Sequence, residues 1–182
     1  MIFKKSRLNK FNVFDYIRMY KSGGFKLIYN YFADSHLFDI LNGTNTHTRI
    51  PINEFPIEID NMKHSVLYMA SWTSVIKEST KIVLDNINNK DIENTTFIDI
   101  GCGKGKVLLV WLKYFILSNL YKFKVIGIDF NPDLIKICMK NLQNFNYADC
   151  KIITDDITKL EITKYLTQNN ILYLYNPFDE VI

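Results

Sequence analysis

The chain has 182 residues, 48% of them hydrophobic and 23% charged, which is enough for one globular domain with a core and too few for two comfortable ones. A net charge of +3 is too small to indicate a nucleic-acid partner by itself. The first residues lack the apolar stretch of a secretory signal, and the most apolar run, residues 107–120, is shorter than the roughly 20 residues of a membrane span. Three cysteines, Cys102, Cys138 and Cys150, have no metal-ligand spacing, so the sequence predicts no metal and a reducing, cytoplasmic location.

The first 60 residues predict a helical appendage, interpreted as a lid or a substrate-side element. Helical periodicity is interrupted at Gly23-Gly24, and the polar run 42–46 predicts a turn. Before them lies a basic stretch, interpreted as a solvated end, with contact to an acidic partner as the alternative; it contains Lys4, Lys5, Arg7 and Lys10.

Residues 61–182 show a regular alternation of helices and strands. Such an alternation gives βαβ units and a parallel sheet, with the ligand crevice at the carboxyl ends of the strands. The predicted fold class is therefore α/β with a mostly parallel sheet. The predicted helices are 66–84, 104–121 and 132–144, and the predicted strands are 96–100, 124–128, 151–154 and 171–175.

The segment "DIGCGKGKVLL", residues 99–109, follows the first strand and opens a helix. A phosphate-binding P-loop needs Ser or Thr after Gly-Lys, but Val107 follows Gly105-Lys106. A dinucleotide fingerprint needs its third glycine at position 106, where this chain has a lysine. The spacing therefore disfavours both kinds of phosphate site.

The pattern Asp99-x-Gly101-x-Gly103-x-Gly105 resembles the first motif of the class I S-adenosylmethionine-dependent methyltransferases. The resemblance implies a Rossmann-like three-layer α/β/α fold and S-adenosyl-L-methionine as the cofactor. It also implies that Asp99 faces the ammonium of the cofactor and that the glycines let the ligand approach the backbone. Lys104 and Lys106 are then expected on the solvent side of the first helical turn.

Two further acidic positions fit the same resemblance. Asp129, at the tip of the second strand, is the expected ligand of the ribose hydroxyls. Asp156, after the third strand, is expected to reach the adenine amino group, with the backbone N–H of Ile157 facing the ring. The alternative for this turn is a helix cap formed by Asp155 or Asp156.

Asn176-Pro177-Phe178 follows the fourth strand and resembles the Asn/Asp-Pro-Pro-aromatic motif of amino-group methyltransferases, with one proline missing. The resemblance implies that these three residues position a target amine and form the catalytic edge of the site. Equally, Asn176 could line only the methyl-donating end of the cofactor. The wider pattern over residues 37–178 resembles a methyltransferase family with this terminal Asn-Pro-Phe motif and no specified substrate.

A class I domain has seven strands in the order 3-2-1-4-5-7-6, whereas this sequence ends at Ile182, shortly after the fourth. We therefore expect a fold truncated after strand four, whose apolar edge "ILYLY" pairs with another chain. The predicted function is methyl transfer to an unidentified acceptor, with an amine as one candidate. The alternative is a non-catalytic cofactor-binding remnant, or a domain completed by a partner chain. Neither a membrane nor a nucleic acid is predicted as a partner.

Overall fold

The computed structural model describes residues 13–47, 68–88, 91, 94–120, 122–145 and 149–175. The chain divides between Ala70 and Ser71 into two compact units, called here the N-terminal and the C-terminal unit. Residue 60, the predicted end of the N-terminal part, lies outside the described residues. Within the described ranges, none of the helices combines the length and the apolar character that crossing a bilayer requires.

The N-terminal unit begins with a helical hairpin, α1, which spans Val13–Phe32. Its break at Gly23-Gly24 was predicted from the sequence, and Gly24 has φ 63° and ψ −161°, a conformation that is essentially restricted to glycine. Across the break the two arms meet edge to face, with ring centroids of Tyr16 and Tyr31 6.4 Å apart.

A π-helical segment, Ala33–Leu37, and a short helix, α2 (Phe38–Asn42), continue the second arm. The buried carboxylate of Asp39 then organises the turn that follows, because it accepts hydrogen bonds from the hydroxyls of Thr44 and Thr46 and from the backbone N–H groups of Thr46 and His47. Burial alone would raise the pKa of Asp39, but the hydrogen bonds from His47, Thr44 and Thr46 outweigh it and lower that pKa to about 2.

The C-terminal unit is a four-stranded parallel sheet in the order β3-β2-β1-β4, with helices between the strands. This arrangement confirms the predicted Rossmann-like α/β fold and reproduces the expected strand order 3-2-1-4. Its elements are α3 (Thr73–Asn86), β1 (Thr95–Ile100), α4 (Lys106–Leu117), β2 (Lys124–Asp129), α5 (Pro132–Leu142), β3 (Cys150–Thr154), a 3₁₀ turn (Ile162–Tyr165) and β4 (Asn169–Leu174).

The core lies between the central strands and α4. All six residues of β1 are buried, and the ring of Phe97 lies about 5 Å from the rings of Trp111, Phe115 and Phe123 in edge-to-face contacts. The indole N–H of Trp111 donates to the hydroxyl of Thr80 at 3.0 Å, which links α4 to α3.

Several helix boundaries differ from the predicted ones. The helix predicted from residue 104 begins at Lys106, because Gly105 has φ +79° and cannot continue a right-handed helix. The helix predicted from residue 66 begins at Thr73, where Trp72 is still extended. In contrast, Asn131 caps α5 one residue before Pro132, as the predicted helix start requires.

Candidate cofactor site

The candidate site lies where the carboxyl ends of the parallel strands meet. After β1 the chain crosses the end of β2, where the carbonyl of Ile128 accepts hydrogen bonds from the N–H groups of Gly101 at 2.8 Å and Cys102 at 3.0 Å. The glycine loop, defined as residues 101–105, is therefore fixed to the end of the neighbouring strand before it enters α4.

All three glycines of this loop, Gly101, Gly103 and Gly105, have positive φ. The requirement is strictest at Gly105, where an added Cβ would lie 2.5 Å from Sγ of Cys138. The loop is also held from α5, since the Asn141 side chain donates to the carbonyl of Lys104 at 2.9 Å. The glycines thus serve a close approach between the loop and α5 as well as any ligand.

The expectation that Lys104 and Lys106 lie on the solvent side is wrong. Their exposed fractions are 1% and 3%. The physical reason is that α4 is buried all round from Lys106 to Leu112, so its first turn has no solvent side. Helical position alone could not reveal this, because the sequence does not say how many neighbours cover a helix.

Asp129 ends β2 and binds the glycine loop directly. Its carboxylate accepts the N–H of Gly103 at 2.8 Å through one oxygen and the N–H of Asn131 at 2.9 Å through the other. Burial raises the pKa of Asp129 to about 6, although both backbone hydrogen bonds act in the opposite direction. Each oxygen keeps a second lone pair, so the carboxylate can still accept from a diol.

Asp99 lies in the middle of the sheet, paired in register with Gly127 of β2 and Tyr173 of β4. It is 3% exposed, and its Oδ2 has no hydrogen-bond partner among the described residues. Burial, followed by the nearby charge of Asp129, raises the pKa of Asp99 well above its usual range. Such a group is costly to bury unless a donor or a cation completes it.

Tyr173 and Ser71 were not singled out in the sequence, yet they lie beside Asp99 in the structure. The Tyr173 hydroxyl is hydrogen-bonded to Ser71, and burial together with the charge of Asp99 raises the pKa of Tyr173. No sequence signal marked them, because Tyr173 reads as one more apolar strand residue and Ser71 precedes its helix by two positions.

The turn after β3 is brought to the same edge of the sheet. The N–H of Asp155 donates to the carbonyl of Asp129 at 3.1 Å. Asp156 turns its carboxylate back onto Thr158, accepting from the backbone N–H at 2.9 Å and from the hydroxyl at 2.7 Å. This is an Asx turn, a local use of the side chain related to the cap considered as the alternative. The adenine-contacting roles of Asp156 and of half-buried Ile157 stay predictions.

Asn176, Pro177 and Phe178 lie outside the described residues, so their predicted roles at the acceptor side stay predictions.

S-adenosylmethionine was tested against these residues by its charge. Its ammonium is a hydrogen-bond donor and a cation, the two properties that the unpartnered oxygen of Asp99 lacks around it. The residues present therefore fit a cationic ligand held at the end of β1.

Comparison with known proteins agrees with the site. A family model described as "Methyltransferase domain" matches residues 91–182, just over half of the chain, and the family uses S-adenosylmethionine as its methyl donor. A search of the curated proteins returned no match.

Two solved structures illustrate the similarity in fold. An RNA methyltransferase from Salinibacter ruber, in complex with S-adenosyl-L-homocysteine, is 19% identical, with a TM-score of 0.43 over 59% of this chain and 61% of that one. Coclaurine N-methyltransferase, bound to N-methylheliamine and S-adenosylhomocysteine, is 15% identical, with a TM-score of 0.38 over 86% of this chain and 41% of that one. The chain thus spans less than two thirds of either protein. On the match to the family model, the chain belongs to the methyltransferase-domain family.

Proposed function

We propose that this protein binds S-adenosylmethionine at the glycine loop and transfers its methyl group to an acceptor, with an amine as the first candidate. The observation that carries the proposal is the unpartnered, buried oxygen of Asp99, which lies next to a loop of positive-φ glycines. A buried carboxylate without a partner is unfavourable in the free protein and becomes favourable when a cation completes it.

Each residue has a stated task in this proposal. Asp99 accepts the ammonium, and the free lone pairs of Asp129 accept the ribose hydroxyls. The turn at Asp156 and Ile157 borders the adenine. When bound, S-adenosylmethionine supplies a methyl group already activated on a cationic sulfur. The protein then has mainly to hold and align the partners and to exclude water.

The amine acceptor rests on Asn176-Pro177-Phe178. In this proposal the Asn176 side chain accepts a hydrogen bond from the amine, and Phe178 packs against the acceptor. An amine that arrives protonated must lose its proton before it can accept a methyl group. We assign no residue to that proton.

The proposal is tested by calorimetric titration of the whole chain with S-adenosylmethionine, S-adenosylhomocysteine and NADH. We expect both sulfur nucleosides to bind and NADH not to bind. Binding of NADH without binding of either sulfur nucleoside would refute the proposal. Asp99→Asn should weaken S-adenosylmethionine at least about tenfold, since it removes the charge opposite the ammonium.

A matched control is available in Asp85→Asn, which removes an exposed carboxylate of α3 that is paired with Lys81. This variant should bind with the affinity of the wild type. Transfer itself is measured with methyl-labelled cofactor and a panel of small primary amines, alcohols and thiols. Label in the alcohols or thiols alone would exclude the amine part of the proposal and leave the cofactor part intact.

Two other expectations stay predictions. Pairing of the β4 edge with another chain is supported by Leu172 and Leu174, which are half exposed on that strand. A cytoplasmic location is supported by the three cysteines, all free thiols in the structure.

A further inference from the structure

The helical hairpin α1 exposes a row of large apolar side chains that the proposed methyl transfer does not use. The first arm contributes Val13, Ile17 and Tyr20, and the second contributes Phe25, Tyr29 and Phe32. Both triplets follow helical spacing, and all six side chains are between 45% and 76% exposed. We call these six residues the hairpin strip.

The strip is continuous around the turn of the hairpin. The rings of Tyr20 and Phe25 meet across the break, with centroids 4.9 Å apart. On the opposite side, the contact between Tyr16 and Tyr31 packs the two arms together. The hairpin therefore spends one face on its own packing and leaves the other apolar. Exposed apolar rows of this kind mark an interaction surface.

The charge around the strip is strongly asymmetric. Residues 1–32 contain seven Lys and Arg against a single Asp, whereas the remaining 150 residues contain 15 basic and 18 acidic ones. Lys21 and Lys26 flank the break of the hairpin, and both are exposed. The partner of this face is consequently anionic, and a second copy of the hairpin is disfavoured by repulsion between like charges.

We propose that the hairpin strip inserts into the interface of an anionic lipid bilayer, with Lys21 and Lys26 at the level of the headgroups. Exposed aromatic and aliphatic side chains beside lysines are the composition of helices that lie in a membrane surface. The absence of a spanning segment, on which the expectation of no membrane partner rested, does not bear on such surface contact.

The geometry disfavours single-stranded nucleic acid as the anionic partner. Bases stack on the open faces of aromatic rings. Here the rings of Tyr20 and Phe25 are inclined at 65° and contact each other edge to face, and Val13 and Ile17 offer no ring at all. A lipid surface accepts aliphatic and aromatic groups alike and requires no stacking geometry.

The test is cosedimentation of the whole chain with vesicles of phosphatidylcholine, with or without about 30% phosphatidylserine. We expect binding to the anionic vesicles to be at least about tenfold tighter than to the neutral ones, and to weaken as salt is added. Phe25→Ser with Tyr29→Ser should reduce it at least about fivefold, because two inserting rings are removed. Lys21→Gln with Lys26→Gln should reduce the preference for anionic vesicles without disturbing the packed side of the hairpin.

Matched controls come from the C-terminal unit. Leu117→Ser with Met139→Ser removes two equally exposed apolar side chains, and Lys136→Gln with Lys140→Gln removes two exposed lysines. Both controls should bind vesicles as the wild type does. The proposal is overturned if the wild type ignores anionic vesicles, or if the strip variants match the controls. Two other outcomes also overturn it: the strip variants lose affinity for a uridine oligonucleotide while vesicle binding is unchanged, or they convert a dimer to a monomer in sedimentation.

Discussion

Gly105 and Cys138 are in such close contact that a methyl group on Gly105 would lie 2.5 Å from the Cys138 sulfur. Gly105 also has φ +79°, where a residue with a Cβ is strained. Gly105→Ala should therefore combine a steric overlap with a backbone cost. We expect it to lower the free energy of unfolding by about 2–4 kcal/mol in urea denaturation.

The two parts can be separated with a control. Gly43 has φ +63° and nothing within 4 Å of an added Cβ, so Gly43→Ala reports the backbone cost alone, about 1–2 kcal/mol. Adding Cys138→Ala to Gly105→Ala should relieve the overlap and recover part of the loss. Equal costs for the two glycine substitutions would contradict the contact.

Asp99→Asn should make the free protein more stable while it weakens the cofactor. In the free protein the buried carboxylate of Asp99 lacks a partner at Oδ2 among the described residues, and burial raises its pKa well above the usual range. A neutral amide of the same shape avoids that cost, so we expect a gain of about 1 kcal/mol at pH 8, read from urea denaturation. A loss of stability would mean that Asp99 is already satisfied without a ligand.

The stability of the C-terminal unit should fall as the pH rises from about 4 to about 7. Asp129 has a pKa raised by burial from 3.8 to about 6, so the folded form holds a proton that the unfolded form has released. The favourable contribution is complete below the unfolded pKa and is lost as the pH passes the folded one, by roughly 3 kcal/mol. Asp99 acts in the same direction.

This pH dependence is measured by urea denaturation, with Asp129→Asn as the comparison. The slope between pH 4 and 7 should be smaller in the variant than in the wild type. Asp39 does not interfere in this window, because its pKa is lowered to about 2 and its contribution is lost only below about pH 4. A stability that rises through this range would show that Asp129 is not the controlling group.

Thr80→Val should destabilise the core through Trp111. The substitution keeps the shape of the side chain but removes the oxygen that accepts the Trp111 N–H at 3.0 Å. A buried indole N–H without a partner costs about 1–3 kcal/mol. In a double-mutant cycle with Trp111→Phe, the effect of Thr80→Val should become small, and an undiminished effect would mean that the hydrogen bond is not its cause.

The sequence predicted the parts of the fold that depend on local pattern. The alternation of strands and helices and the break at Gly23-Gly24 follow from periodicity and from glycine chemistry, and the structure has both. The position of Asp99 and Asp129 at strand ends was also predictable, because each follows a short apolar strand.

What the sequence could not predict depends on contacts between distant segments. Lys104 and Lys106 are buried because several elements surround the first turn of α4. The partners of the Asp129 carboxylate are backbone N–H groups, which leave no trace in residue type. The carboxylate of Asp156 is held by Thr158 two residues on, and a spacing rule alone cannot distinguish this from a ligand contact.

The last two residues of β2 hold three other segments at once. The Ile128 carbonyl holds the start of the glycine loop, the Asp129 carboxylate holds its middle, and the Asp129 carbonyl holds the turn after β3. Opening this one strand end would release the loop and the turn together. The site should consequently open as a single cooperative unit, so that the amides of Gly101, Cys102, Gly103 and Asp155 exchange hydrogen with one common free energy of opening.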